Sequence, residues 1–286
     1  LGLSSSPADS TLEFLKKPVS TVTLSDNFEP FGPSAPLRSF NLGNLKMARP
    51  LEKAFYDVDL KAQDAVVNAY EAGMDVSSIN RALSVGAFGL ERRRRFVPTR
   101  WSITAVDSIL SLKLMRGVKS NPLINEYQVY ECDNLDNRFI VLMMPQMWSY
   151  EWIEAWWPKT AWNPESNISI EGDHEPYEGR TTYASNGGCY YAVRLAAAEK
   201  LSALGRQAGV VALREIYSGY IVPVGVWINR EGVRMALRRE PQRFNSLGEA
   251  RRHISTRMQI PMGRWIKSSA LLRDALYQTR LSKYFR

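Results

Sequence analysis

The longest unbroken apolar run in this chain of 286 residues is six residues, Phe139 to Met144. A membrane-spanning helix needs roughly 18 to 20, so the run argues against one and, with Arg138, reads as a β-strand. Tyr127 to Glu131 is a second strand. The polar stretch Asp133-Asn134-Leu135-Asp136-Asn137 between them suits a hairpin loop.

The other elements are ordered around this hairpin. Leu51, Phe55, Val58, Ala62, Val66 and Ala69 recur at close to the helical period, and Gly73 follows as a C-cap, which predicts one helix over Leu51 to Glu71. A short helix follows Asp75-Val76-Ser77-Ser78, and a third runs through Val106, Ile109, Leu110 and Leu114 to Gly117 with Ser102 or Thr104 as cap. Trp148 to Trp157 is predicted as an aromatic helix closed before Pro158, its tryptophans on one core-facing side. Asn167 to Ile170 and Thr181 to Tyr183 are short strands. Gly187-Gly188 opens a long helix, Cys189 to Arg206, and Val210 to Tyr217 with Tyr220 to Ile228 forms a second hairpin. Helices return at Glu231 to Leu237, Leu247 to Met258 and Ser269 to Tyr277. This order predicts an α+β fold, a mostly antiparallel sheet with helices. Residues 1–50, rich in Pro, Ser and Gly, form an extended N-terminal arm, residues 51–277 a single α+β domain with a basic helical C-terminal part, and residues 278–286 a terminal peptide.

Composition is ordinary for a globular protein, with 45% apolar and 23% charged residues. The net charge of +8 is unevenly placed. From Arg230 to Arg286 there are 14 Lys or Arg against four acids, so the positive field belongs to the C-terminal fifth and the remainder is slightly acidic. A basic partner surface for nucleic acid is the natural expectation. Cys132 and Cys189 are too few for a disulfide framework or a Cys-rich zinc site, and no secretory signal is visible at Leu1. The expected setting is intracellular, with no membrane association.

Four constellations carry chemistry. The last nine residues contain Gln278, Leu281, Tyr284 and Phe285, in the pattern Gln-x-x-aliphatic-x-x-aromatic-aromatic. This is similar to the PIP box, the peptide by which replication and repair proteins dock on the PCNA sliding clamp. One short turn sets Leu281, Tyr284 and Phe285 on one side as an apolar plug, Gln278 supplies amide donor and acceptor, and Arg280, Lys283 and Arg286 suit an acidic partner. The competing reading is that the three apolar side chains pack on this protein's own core.

Arg92-Arg93-Arg94-Arg95 and Arg100, with Trp101 beside it, can hold phosphates and stack a base; Arg251 and Arg252 add cations in the basic C-terminal part. The plainer reading is a solvated charge run beside a core tryptophan. The third constellation is the loop Glu171 to Thr182. Its Asp173, His174, Glu175, Glu178 and Arg180, joined by Arg100, are the candidate catalytic residues, and its carboxylates can ligate Mg²⁺. Its spacing matches no established metal motif, so no cofactor and no metal are predicted beyond that one option, and an exposed acidic loop paired with arginines is the alternative. Last, Ser185-Asn186-Gly187-Gly188-Cys189 is either an anion-binding helix start or a tight packing turn.

Several longer stretches then resemble the archaeal DNA repair protein family NreA/NreB. They are Phe31 to Leu37, Asp57 to Ala62, Val97-Pro98-Thr99-Arg100-Trp101-Ser102-Ile103-Thr104-Ala105-Val106-Asp107, Gly172 to Tyr183, Gly187 to Ala196 and Pro223 to Trp227. The resemblance implies repair of DNA damage by an archaeal protein in the cytoplasm, associated with the nucleoid and recruited to the clamp through its C-terminal peptide. It implies no agreed catalytic activity. Members also begin with a Cys-rich segment that this chain does not match, so zinc is not predicted. Two functions stand after this reading: a clamp-recruited, DNA-binding repair factor, and a metal-dependent enzyme acting on nucleotides or phosphodiesters at Asp173 to Arg180.

Overall fold

The computed structural model describes residues 3–4, 6–21, 34–160, 163–221 and 225–277. Its residues fall into two compact units, one taking 1–74 and 81–96, the other 75–80 and 97–286. The candidate clamp peptide, with Gln278, Leu281, Tyr284 and Phe285, lies outside the described residues.

In the first unit the arm carries an antiparallel strand pair, β1 (Asp9–Phe14) and β2 (Leu37–Gly43), both largely exposed. Two helices follow, α1 (Arg49–Tyr56) and α2 (Ala62–Glu71), where one was expected. The apolar period runs through both, but the Asp57 carboxylate accepts the amides of Asp59 at 3.2 Å and Leu60 at 3.0 Å and turns the chain out of α1. Leu51, Ala54, Val66, Ala69 and Phe88 are buried in this unit. The residues of helix α3 (Val76–Ser84) are divided between the two units, and a 3-10 turn at Glu91–Arg93 follows after six intervening residues.

The second unit opens on α4 (Thr99–Val118), which starts directly after Pro98 rather than at Ser102 or Thr104. The expected hairpin follows as β3 (Tyr127–Asn134) and β4 (Asn137–Met144). Its turn is only Leu135-Asp136, both at positive φ (50° and 57°), as a tight two-residue hairpin requires. Next come β5 (Ser149–Trp156) and β6 (Ser169–Glu175), helix α5 (Gly188–Leu204) and β7 (Gly209–Ile216). The chain ends in α6 (Trp227–Arg238), β8 (Gln242–Phe244), α7 (Leu247–Arg257), α8 (Met262–Ser268) and α9 (Ala270–Tyr277).

These strands form one six-stranded sheet in the order β6-β5-β7-β4-β3-β8. Every neighbouring pair is antiparallel except β5 and β7, which are parallel and joined through β6 and α5. One face packs Phe139, Trp152 and Ala212 against α4, α5 and α6; the other packs Ile140, Ile153 and Leu213 against α7, α8 and α9. The fold is therefore α+β with a mostly antiparallel, mixed sheet between two helical layers.

Three expectations fail here. Trp148 to Trp157 is a strand, not a helix: tryptophans four apart satisfy the helical period, but four is also twice the strand period, and Tyr150 completes the alternation. Among the described residues of Tyr220 to Ile228 none pairs with β7, whose partners are β4 and β5; α6 instead begins at Trp227. Thr181 to Tyr183 forms no strand either. No helix among the described residues is long and apolar enough to cross a membrane.

Candidate functional site

The acidic loop builds a network of ion pairs. Strand β6 alternates, so Glu175 points inward and is fully buried while His174 and the nearby Glu178 are exposed. Glu175 accepts from Arg194 at 2.8 Å, from the Tyr190 hydroxyl at 3.0 Å and from the Trp148 indole at 3.2 Å. Arg194 in turn reaches the hydroxyls of Ser111 and Ser108 on α4, so this carboxylate ties the sheet to α4 and α5. Asp173 pairs with Arg180 at 2.7 Å and accepts the Ser185 amide at 2.7 Å. Burial pushes the Asp173 carboxyl up, but the bonds from Arg180 and from the Ser185 and His174 amides outweigh it and hold it below the ordinary range. Arg180 also lies 4.8 Å from the Tyr190 ring centre. Among the described residues, no three His, Cys, Asp or Glu side chains stand together as a metal site would need.

Arg92, Arg93 and Arg95 are exposed. Arg94 is not like them: its guanidinium donates to the carbonyls of Gly89 at 2.7 Å and Asp57 at 2.6 Å, holding the end of α1. In the second unit Arg100 stands at the start of α4 and lies 5.3 Å from the ring of its neighbour Trp101, which is 48% exposed. Trp101 meets Tyr183 at 6.3 Å, and Tyr183 meets Tyr191 at 5.4 Å, so a row of aromatic rings with an arginine at its end lines the surface between α4 and α5. Arg251 and Arg252 lie on α7, the first half-buried and the second exposed.

The sequence reading missed a second polar cluster, at the carboxyl ends of the parallel strands β5 and β7, where open α/β sheets bind ligands. There Arg214 donates to Glu154 at 2.9 Å, to Asn229 at 2.6 Å and to Asn137 at 3.0 Å, all buried. Its guanidinium also lies within 5.5 Å of the ring centres of Phe139, Trp156 and Tyr220. Nearby, Asp107 of α4 pairs with Arg230 of α6 at 2.7 Å, both fully buried. Burial pushes the Asp107 carboxyl up to about 6 against the opposing pull of Arg230, and its second oxygen has no partner. Arg214 Nη2 and the Asn186 side-chain oxygen are likewise unpartnered among the described residues.

Gly187 and Gly188 make the packing turn that places α5 over this cluster. Gly187 takes φ 60°. A Cβ on Gly188 would lie 2.8 Å from the Thr104 hydroxyl, so only glycine lets α5 and α4 approach so closely. Burial, and then the Glu154 carboxylate, push the Cys189 thiol well above its usual range, which disfavours the thiolate a nucleophile needs. The signal that could have found the cluster is a lone charge inside an apolar strand, as Arg214 is in Val210-Val211-Ala212-Leu213-Arg214.

The class this defines is an α+β protein with a buried polar centre at the ends of two parallel strands and unpaired cations on its surface. Residues 1–163 match the family described as Archaeal Nre, N-terminal, and residues 175–284 the one described as Archaeal Nre, C-terminal; the chain belongs to the Nre family. It is 39% identical over 280 residues to DNA repair protein NreB of Archaeoglobus fulgidus, covering 98% of this chain and 71% of that protein. Identity is 38% over 237 residues to DNA repair protein NreA of Haloferax volcanii, 82% of this chain and 56% of that one. NreA of Archaeoglobus fulgidus is 33% identical over 261 residues, 91% of this chain and 64% of the relative. No solved structure matches.

Proposed function

We propose that this protein is a DNA repair factor that holds DNA through surface cations and is tethered to the sliding clamp by its C-terminal peptide. The observation that carries the reading is its likeness to three relatives named as DNA repair proteins, one along 98% of the chain. The exposed guanidinium groups of Arg92, Arg93, Arg95 and Arg252, and the Arg100-Trp101-Tyr183 row, supply phosphate and base contacts. Arg94 and Arg251 contribute less, being tied to the backbone or half-buried. Gln278, Leu281, Tyr284 and Phe285, which follow α9 in the chain, carry the amide and the three apolar side chains that the clamp-docking pattern uses.

The enzyme reading at Asp173 to Arg180 draws no comparable support, since Asp173 and Glu175 are both engaged by arginines. The test is a titration of the full chain, and of a variant lacking residues 278–286, with the clamp. Binding is expected for the full chain and lost in the variant, with the melting curve unchanged. Equal binding by both would refute the tether.

A further inference from the structure

Most cations of the C-terminal fifth have partners at short range. Arg230 pairs with Asp107, Arg234 with Glu199 and Glu231, and Arg257 with Glu131. Arg264 and Arg273 donate to backbone carbonyls. Arg238 departs from this pattern, and so does Arg206 from outside that fifth: among the described residues neither guanidinium has a hydrogen-bond or ion-pair partner, and both are exposed.

They line one concavity of about 370 Å³. Arg206 follows Gly205, the left-handed residue that ends α5, and Arg238 is the last residue of α6. Lys200, near the end of α5, lies 5.1 Å from the centre of the Tyr130 ring, and the Tyr130 hydroxyl donates to Gln128 at 2.8 Å, so the polar group of the floor is satisfied. Arg239 and Arg243 complete the cations, the first donating to the Glu131 carbonyl at 3.3 Å and the second paired with Glu126. With Glu240, the lining holds five cations against two carboxylates, an excess of three.

Helix C-termini favour cations, and two helices end here. Each terminus carries only about half a negative charge, so together they offset about one of the three. A concave surface that gathers uncompensated guanidinium groups from the ends of two helices, α5 and α6, is built to receive anions.

We propose that this concavity is a binding site for the phosphodiester backbone of DNA, with Arg206 and Arg238 gripping phosphate oxygens bidentately and Lys200 adding a point charge. The site rests on the reading that the protein holds DNA, and it is distinct from Arg92 to Arg95, Arg100, Arg251 and Arg252. An acidic protein segment would need apolar anchors beside the cations, and the exposed rim offers Leu204 alone.

The test measures binding of the full chain to a fluorescein-labelled single-stranded oligonucleotide by anisotropy across a salt series. Arg206→Ala with Arg238→Ala is expected to weaken binding roughly tenfold or more at low salt. It should also flatten the log–log salt slope by about 1.4, at about 0.7 per lost contact on a single strand. Lys53→Ala with Lys61→Ala removes the same charge from exposed positions of the first unit and is expected to leave the slope nearly unchanged. If wild type binds and the Arg206/Arg238 variant matches it in affinity and slope, the site is overturned while the DNA reading stands. An equal loss in the lysine variant also overturns the site, because net charge alone would then set affinity. If wild type binds no DNA, the site and the DNA reading both fail.

Discussion

Gly232→Ala is the sharpest test of how α6 is seated. A methyl group at Gly232 would lie 2.4 Å from Cζ and 2.5 Å from Cε2 of Phe139. Carbon atoms rest at about 3.5 to 4.0 Å, so helix or ring has to move by about 1 Å. Neither has room. Phe139 is fully buried with the Arg214 guanidinium 5.5 Å from its ring centre, and the Gly232 carbonyl accepts from the Cys132 thiol at 3.1 Å. Overpacking costs about 1 to 3 kcal/mol, against which alanine gains about 1 kcal/mol over glycine inside a helix. A shift of α6 also strains the Asn229–Arg214 and Arg230–Asp107 bonds, which the same helix carries. Those two effects alone leave about 0 to 2 kcal/mol of loss, and strain in the two charge-assisted bonds adds about 1 kcal/mol, so the expected net loss is about 1 to 3 kcal/mol. Urea unfolding followed by circular dichroism should show a lower midpoint with an unchanged slope. Adding Phe139→Leu should recover part of the loss, a coupling between touching residues. A Gly232→Ala protein as stable as wild type would refute the close seating of α6 on the sheet.

Two further outcomes follow from the buried carboxylates. Glu151, buried on β5, accepts the amides of Ala270 at 2.7 Å and Leu271 at 3.2 Å and the Ser269 hydroxyl, so it caps α9 from within the sheet. Glu151→Ala should cost about 2 to 4 kcal/mol, and amide exchange across residues 270–277 should rise more than elsewhere; uniform exchange would contradict the cap. Asp107 has a folded pKa of about 6 against 3.8 unfolded, so its contribution to stability is full below about pH 4 and is lost as pH rises through 6. Asp107→Asn lacks that titration, so its stability relative to wild type should improve from pH 4 to pH 7 by about 3 kcal/mol, at about 1.4 kcal/mol per pKa unit. A difference that stays constant with pH would show that the carboxyl is not raised.

Much of the layout was legible in residue order. The hairpin of β3 and β4, the long helix after Gly187-Gly188 and the closing helices each combine an apolar period with a nearby breaker or cap. The misreadings have particular causes. Trp148, Trp152 and Trp156 fit two periods at once, and only pairing of β5 with β6 and β7 decides between them. The Asp57 turn lies inside an apolar pattern that continues across it. Of the acidic loop, the sequence placed the charges in one segment but not their facing: strand alternation sends Glu175 inward to Arg194 and leaves His174 outside.

The sequence by itself determined the membership of the chain in its family, the α+β order of its elements and the motif at its end, because all three are written in local patterns. Which charges are available to a partner was decided only by the tertiary structure. An ion pair depends on atoms about 3 Å apart in space, and Arg214 with Glu154 or Arg230 with Asp107 are separated by 60 and 123 positions in the chain. The basic C-terminal fifth therefore divides, once folded, into arginines that hold the core together and a smaller set, Arg238 and Arg252 among them, that the fold leaves facing outward, where Arg206 from earlier in the chain joins Arg238.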